Sequence, residues 1–353
     1  MYLLHKKLYL HISPHSHHIT TVSQPSPVPL HLLLLLRLYS PPASSTLHDS
    51  LTMSALPSTA DPSSPSNSAS KNTENDETIR RNRILSSKLY FDIPPSKVHS
   101  ESYLRSLKSS LTVSIITEVP PVAVFPNCLV QKKVLYPFRK QVGGTVLAAK
   151  LANERGYAIN VGGGFHHCCA DRGGGFCVYA DISLCIHYAF IRLNISRVMI
   201  IDLDAHQGNG HETDFSDDRR VYILDMYNPY IYPLDYEARR YIDQRVEVPS
   251  GTTTEEYLVK LDEALQVAGN AFNPELVIYN AGTDILDGDP LGRLKVSPDG
   301  VSIRDEKVFR FARDKNIPLV MLTSGGYMKS SARVIADSII NLSNKSLITI
   351  CGI

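Results

Sequence analysis

Tryptophan is absent from this chain of 353 residues, and cysteine is scarce. The six cysteines include no CxxC pair and are too few for a disulfide scaffold, so we expect a reducing compartment. Lysine plus arginine (36) nearly equals aspartate plus glutamate (35), which gives no electrostatic basis for sequence-specific or general nucleic-acid binding. This composition excludes a collagen, a coiled coil, a knottin and a membrane bundle.

Glycine is missing from the first 78 residues, which hold 9 of the 22 prolines and 15 serines. Such sequence cannot bury enough apolar surface to order itself, so residues 1–78 are predicted to be a disordered Pro/Ser-rich tail and residues 79–353 a single domain. The apolar run 28–38 is about half as long as a membrane span, so no span is expected. Organellar targeting by the tail and a second start at Met53 both remain open.

From residue 79 onward, short apolar runs alternate with amphipathic segments. The runs are rich in Val, Ile and Leu on both faces, as in a covered parallel sheet, and are predicted as strands at 157–161, 197–201, 221–224, 275–280 and 318–323. Helices are predicted at 145–154, 182–193, 254–272, 305–315 and 329–342. The alternation predicts an α/β domain with a mainly parallel sheet flanked by helices.

Polar residues follow four of these predicted strands. Ligands of open α/β sheets bind beyond the carboxyl ends of the strands, so these residues are expected to share one rim. They are, in chain order, His166-His167, Asp202-x-Asp204-x-His206, Asp284 and Tyr327.

Three of these residues form a predicted metal site. Alternate residues of an extended segment share a face, so Asp204 and His206 can bind one metal with Asp284 as the third ligand. Two carboxylates and an imidazole leave a position open for water or substrate, as a catalytic zinc site requires. The same ligands also suit Fe(II), Mn or Co, and a strand-end capping cluster without metal is the alternative.

The other polar residues suggest acid–base chemistry beside that metal. The His166-His167 pair could serve as general base and then general acid, and Asp202 could orient a histidine. Tyr327, after two glycines, could donate a hydrogen bond to an oxyanion. Ordinary packing of these residues is the alternative.

Five motifs in this order resemble the zinc-dependent histone deacetylases of the arginase/deacetylase fold. The motifs are GGGFHH, DRGGGFCVYAD, IDLDAHQGNGH, YNAGTDILDGDP and TSGGY, and the resemblance spans roughly residues 80–345. The DLDAHQGNG and YNAGTD forms look closest to the class IV, histone deacetylase 11-like, branch. Arginase-like enzymes are the alternative, but they carry another carboxylate where this chain has Gly208.

The resemblance implies a role for each predicted site residue. Asp204, His206 and Asp284 match the ligands of one zinc ion per chain. His167 matches the general base and acid, and His166 its electrostatic partner. Asp202 matches the carboxylate that partners His166, and its backbone matches part of a K⁺ site.

Further positions match by resemblance. Asn209 stands where some relatives carry a carboxylate that partners the second histidine. Tyr327 matches the tyrosine that polarises the scissile carbonyl. Gly175 and Phe176 match a wall of the tunnel that holds the lysine side chain, with Leu291 expected near its base.

The implied function is hydrolysis of the acyl amide on lysine side chains of histones or other proteins. Corepressor-type partners, chromatin and transcription regulation, and residence in the nucleus or cytoplasm follow from the resemblance alone.

One departure from class IV relatives affects the predicted scaffold. Residues 93–98 join directly to residues 99–103, where relatives carry a further strand and loop. Loss of that segment, on the order of 60–70 residues by resemblance, would expose hydrogen-bonding groups at a sheet edge. The alternative function is therefore a truncated or splice-variant, catalytically impaired protein that acts at most as a binding module.

Overall fold

The computed structural model describes residues 94–349, and the predicted tail lies outside the described residues. Within this range the helices are α1 Glu101–Ser106, α2 Ser110–Thr117, α3 Asn127–Val130, α4 Tyr136–Arg155, α5 Asp181–Arg192, α6 Asn209–Asp214, α7 Thr254–Ala271, α8 Pro298–Asp314 and α9 Ser331–Asn344. The strands are β1 Tyr157–Asn160, β2 Val198–Asp202, β3 Val221–Tyr227, β4 Gln244–Glu247, β5 Leu276–Asn280 and β6 Leu319–Leu322. Across residues 94–349, none of the helices is both long enough and apolar enough to span a membrane.

The six strands form one sheet in the order β1-β6-β5-β2-β3-β4, and every pairing is parallel. Strand and helix alternate along the chain, which gives a parallel sheet with helices on its faces. The predicted α/β fold class is confirmed.

The central strands are apolar on both sides because helices cover both faces of the sheet. All five residues of β2 and all five of β5 are buried. On β2, Met199 and Ile201 pack in one hydrophobic cluster with residues of α7 and α8. Ile200, between them, points to the opposite face and packs with α4 and α5. The uninterrupted apolar runs in the sequence reflect this double coverage.

The strand β4 was missed from sequence. Its residues, Gln-Arg-Val-Glu, alternate between partly buried and exposed, so it is an edge strand without an apolar run.

The helices before residue 145 were also missed. The helix α4 begins at Tyr136, and the consecutive glycines Gly143 and Gly144 weaken its helical pattern. The helix α8 begins at Pro298 rather than 305, capped by the Ser297 side chain.

The strand β1 occupies the other edge of the sheet. Its four residues are only partly buried, whereas every residue of its neighbour β6 is buried. Between residues 94 and 349 there is no strand on the outer side of β1. The edge therefore presents backbone groups and side chains that an added strand would cover.

A buried arginine supports the loops that follow β2 and β5. Arg304, in α8, is fully buried and pairs with Asp305 at 2.8 Å. Its guanidinium also donates hydrogen bonds to the carbonyls of Leu203 and Gly282, next to the predicted ligand Asp204. The sequence analysis did not identify this residue, since a lone arginine in a helix carries no signal of burial.

Replacing this arginine should cost much more stability than replacing an exposed one. Arg304→Met leaves the buried Asp305 without its charged partner and with hydroxyl donors from Tyr279 and Ser338 only. We expect a loss of about 3–5 kcal/mol in the free energy of unfolding in urea. The control is Arg310→Met, which breaks a half-exposed pair with Glu306 and should cost less than about 1 kcal/mol. Equal losses would contradict the supporting role of Arg304.

Candidate active site

The polar residues predicted to share a rim do so because four adjacent strands end there. Parallel order brings the carboxyl ends of β1, β6, β5 and β2 side by side. The segments that follow them carry His166 and His167 after β1, Tyr327 after β6, Asp284 after β5, and Asp204 and His206 after β2.

The predicted ligands Asp204, His206 and Asp284 converge on one point. The Nδ1 atom of His206 lies 3.1 Å from Oδ1 of Asp204 and 2.9 Å from Oδ2 of Asp284. One donor atom from each residue lies within 4.8 Å of the others, and all three side chains are buried. Two carboxylates and an imidazole fit a zinc ion with room for a further ligand.

Backbone and hydroxyl donors hold the carboxylates in place. The Ser324 hydroxyl and the Gly325 amide donate to Oδ2 of Asp204, at 3.0 and 2.9 Å. The Ala205 amide donates to Oδ1 of Asp284 at 2.9 Å. A Cβ atom at Gly325 would overlap both carboxylates, so this backbone approaches the ligands more closely than any side chain permits.

The two buried carboxylates repel each other in the absence of a cation. Burial and then the charge of Asp204 raise the pKa of Asp284 to about 7. Burial opposes the charged form of His206, but its hydrogen bonds and the charges of both aspartates outweigh that and raise its pKa to about 10. The site is thus built for positive charge between the carboxylates.

The tandem histidines have opposite charge states. Burial disfavours the charged form of His166, but the charges of Asp202 and Asp204 prevail and raise its pKa to about 9. Burial, followed by the charges of His166 and His206, holds the pKa of His167 well below its usual value. At neutral pH His166 is therefore protonated and His167 is neutral, the form that a general base needs.

Each histidine has one hydrogen-bond partner at Nδ1. His166 Nδ1 lies 2.9 Å from Oδ2 of Asp202, and His167 Nδ1 lies 3.0 Å from Oδ1 of Asn209. The structure thus brings both histidines together with the two partners that the sequence analysis named.

Asp202 has a further partner that the sequence analysis missed. His211 Nε2 lies 2.8 Å from the same Oδ2 atom that His166 contacts. Asn280 and the Asp204 amide donate to the other oxygen, Oδ1, at 3.0 and 3.1 Å. Asp202 is fully buried and its pKa is lowered; burial opposes this, and the charge of His166 is the largest favourable cause. The sequence signal that could have identified His211 is its place as the final His of the GNGH motif, five residues after His206.

Tyr327 lies above the predicted ligands. Its ring centroid is 6.1 Å from that of His206, and its amide donates to Asp289 at 2.8 Å. Burial, followed by the charges of Asp284 and Asp204, raises the pKa of Tyr327 well above its usual value. The phenol therefore stays protonated and can donate a hydrogen bond.

Two of the predicted tunnel residues, Gly175 and Phe176, lie beside His167 and Tyr327. The ring of Phe176 is 6.1 Å from that of Tyr327. Gly175 has a φ of 51°, and a Cβ atom there would overlap the rings of His167 and Tyr232. Tyr232, missed from sequence, stands edge-on to His167 at 4.8 Å and lies against Gly175. Leu291, expected near the base, is 40% exposed, and its place in the tunnel stays a prediction.

Comparison with known proteins gives the family. The histone deacetylase domain matches residues 68–342. The chain belongs to the histone deacetylase family. It is 67% identical over 330 residues to histone deacetylase 2 of Arabidopsis thaliana, covering 77% of this chain and 85% of that relative. It is also 29% identical over 205 residues to histone deacetylase 8 of Xenopus tropicalis, covering 55% and 54%.

A solved structure shows the same fold. The crystal structure of the HDA15 HD domain matches with a TM-score of 0.58 at 20% identity, covering 73% of this chain and 75% of that one. The expected family and the hydrolysis of acetyl-lysine are confirmed, and this family is generally zinc-dependent. The class IV branch stays a prediction.

Removing one ligand charge should separate metal binding from folding. In Asp284→Asn the buried repulsion with Asp204 is gone, so we expect the metal-free variant to melt at or above the temperature of the metal-free parent. The rise in melting temperature that zinc gives the parent should vanish. Thermal melts with EDTA and with zinc measure both.

The matched control is Asp262→Asn, which removes an exposed aspartate paired with Lys307 and should keep the zinc response. An Asp284→Asn variant with the full zinc response would show that the ion binds elsewhere.

Proposed function

We propose that this chain is a class IV deacetylase that hydrolyses acyl-lysine with one zinc ion. The observation that carries the proposal is a cluster of three converging ligands that Tyr327 overlies, beside a histidine pair held at Nδ1 by Asp202 and Asn209. Gln207 and Asn209, in the DLDAHQGNG motif, support the class IV assignment.

Asp204, His206 and Asp284 would hold the metal. When bound, zinc supplies a Lewis acid that polarises the acyl carbonyl and lowers the pKa of water. Apart from the neighbouring histidines, the donors to these carboxylates are backbone and hydroxyl groups, which orient them for a metal without neutralising them.

The remaining residues move and hold protons. His167 takes a proton from the attacking water at Nε2 and then gives it to the departing lysine amine. The Tyr327 hydroxyl donates a hydrogen bond to the oxygen that gains negative charge. His166, held protonated by Asp202, adds positive charge nearby and disfavours a second proton on His167 before substrate arrives.

A K⁺ ion beside Asp202 would support this loop. Asp225 lies opposite Asp202 in the pairing of β2 with β3 and is fully buried. Apart from the contact between these two carboxyls, its Oδ1 atom and Oε1 of Glu212 have no hydrogen-bond partner in the structure. Together with the backbone of residues 202–206, these oxygens support a monovalent-cation site.

The substrates follow from the same chemistry. We assign to this chain acyl-lysine residues of histones or other proteins as substrates. We further propose that it resides in the nucleus or cytoplasm and has corepressor-type partners. Phe176, beside Tyr327, and Tyr232, beside His167, suit the apolar stem of a lysine side chain, since aromatic rings can pack on its methylene groups.

Two observations support the predicted loss of a segment near residues 98–99. In the alignment with the Arabidopsis relative, 77% of 353 residues is about 272, whereas the aligned stretch is 330, so about 58 positions have no counterpart in this chain. Together with the uncovered edge of β1, this supports a missing internal segment. If the remaining scaffold cannot turn over substrate, the chain would act as a binding module.

Two substitutions test the proposed roles. His167→Ala and Tyr327→Phe should each lower kcat on an acetyl-lysine peptide by at least about 100-fold, because each removes a group that acts on the reacting atoms. Zinc content, measured by mass spectrometry, should stay at one per chain.

Matched controls are His187→Ala and Tyr230→Phe, which lie outside the site and should keep full activity. Full activity in His167→Ala or Tyr327→Phe would refute the assignment. A parent chain that binds zinc yet shows no turnover would favour the binding module.

A further inference from the structure

The partner of His167 is an amide, which fixes a proton less firmly than a carboxylate does. Asn209 accepts at Oδ1 and donates at Nδ2, and its two orientations are nearly equal in shape. If Oδ1 faces His167, the imidazole proton stays on Nδ1 and Nε2 is free to act as a base. If Nδ2 faces it, the tautomer is reversed and Nε2 carries the proton.

A third residue selects the orientation. Nδ2 of Asn209 donates to Oδ2 of Asp235 at 3.0 Å. A carboxylate only accepts hydrogen bonds, so Asp235 must face the amide nitrogen, and Oδ1 is left for His167 at 3.0 Å. Asn209 is 7% exposed, so little water reaches it to offer other partners.

Asp235 is itself held in place. The Arg172 guanidinium donates to its Oδ2 at 2.6 Å, and the Ala238 amide donates to its Oδ1 at 3.1 Å. Burial opposes the charged form, but the hydrogen bonds from Asn209, Ala238 and Arg172 prevail and lower the pKa of Asp235. It is therefore a carboxylate across the working range of the enzyme.

We propose that Asp235 is a positioning residue, which acts through Asn209 to keep the proton of His167 on Nδ1. The order of contacts is Arg172, Asp235, Asn209, His167. This inference rests on the proposed role of His167. Some relatives carry a carboxylate in direct contact with this histidine. In this chain the carboxylate is that of Asp235, which lies one hydrogen bond further away, in the loop after β3.

Asp235→Asn tests the proposal, since an amide at this position can face Asn209 with either group. We expect kcat to fall about tenfold, as when the partner of a metal-site histidine is removed, with KM within about twofold. In an Asn209→Asp background the carboxylate contacts His167 directly. There Asp235→Asn should cost less than about twofold, or raise activity by relieving the new like-charge pair.

The matched control is Asp218→Asn, which breaks another partly exposed Asp–Arg pair, with Arg220 at 2.6 Å. It should change kcat in neither background. An unchanged kcat in Asp235→Asn would overturn the proposal. So would an equal loss in both backgrounds, because it would show a structural role independent of Asn209.

A readout without turnover separates this proposal from the function it rests on. In the zinc-loaded chain labelled with ¹⁵N-histidine, the His167 signals are those missing in His167→Gln. We expect the Nδ1–H tautomer in the parent and a mixture in Asp235→Asn. The same tautomer in both would overturn the proposal even if activity were absent, whereas an inactive parent with the expected tautomer shift would refute only the proposed activity.

Discussion

Two buried carboxylates that face each other across one imidazole determine the rest of this site. Asp204 and Asp284 come from different strands and both approach His206 Nδ1 within 3.1 Å. Burying two such charges is costly unless a cation lies between them. Hydrogen bonds from a serine hydroxyl and two backbone amides partly offset that cost. Behind the loops, the buried Arg304 donates to the backbone that carries the ligands.

Charge and hydrogen bonding also determine the states of the two histidines beside these carboxylates. Asp202 accepts hydrogen bonds from His166 and His211. Burial, followed by the charges of His166 and His206, disfavours a proton on the neighbouring His167. Asn209 then gives His167 a partner without a full charge. The charge lies one contact further out, on Asp235, where Arg172 balances it.

The central strands and the predicted ligands at their ends were predictable from sequence, whereas one edge strand and several residues around the site were not. Central strands are apolar on both faces, so β2 and β5 stood out, and their ends carry the predicted ligands. The strand β4 lies at an edge, and only one of its four residues, Val246, is apolar, so it has no such pattern. Arg304, Tyr232 and Asp235 were missed because each depends on a long-range contact. Nothing near them in the chain shows that a helix arginine is buried or that a loop aspartate reaches Asn209.

The central claim is that Asp204, His206 and Asp284 bind one catalytic metal ion. Native mass spectrometry of the purified full chain after zinc loading and desalting tests it most directly. We expect one zinc per chain in the parent and none in Asp204→Asn. A parent without zinc, or an Asp204→Asn variant that keeps its ion, would contradict the account.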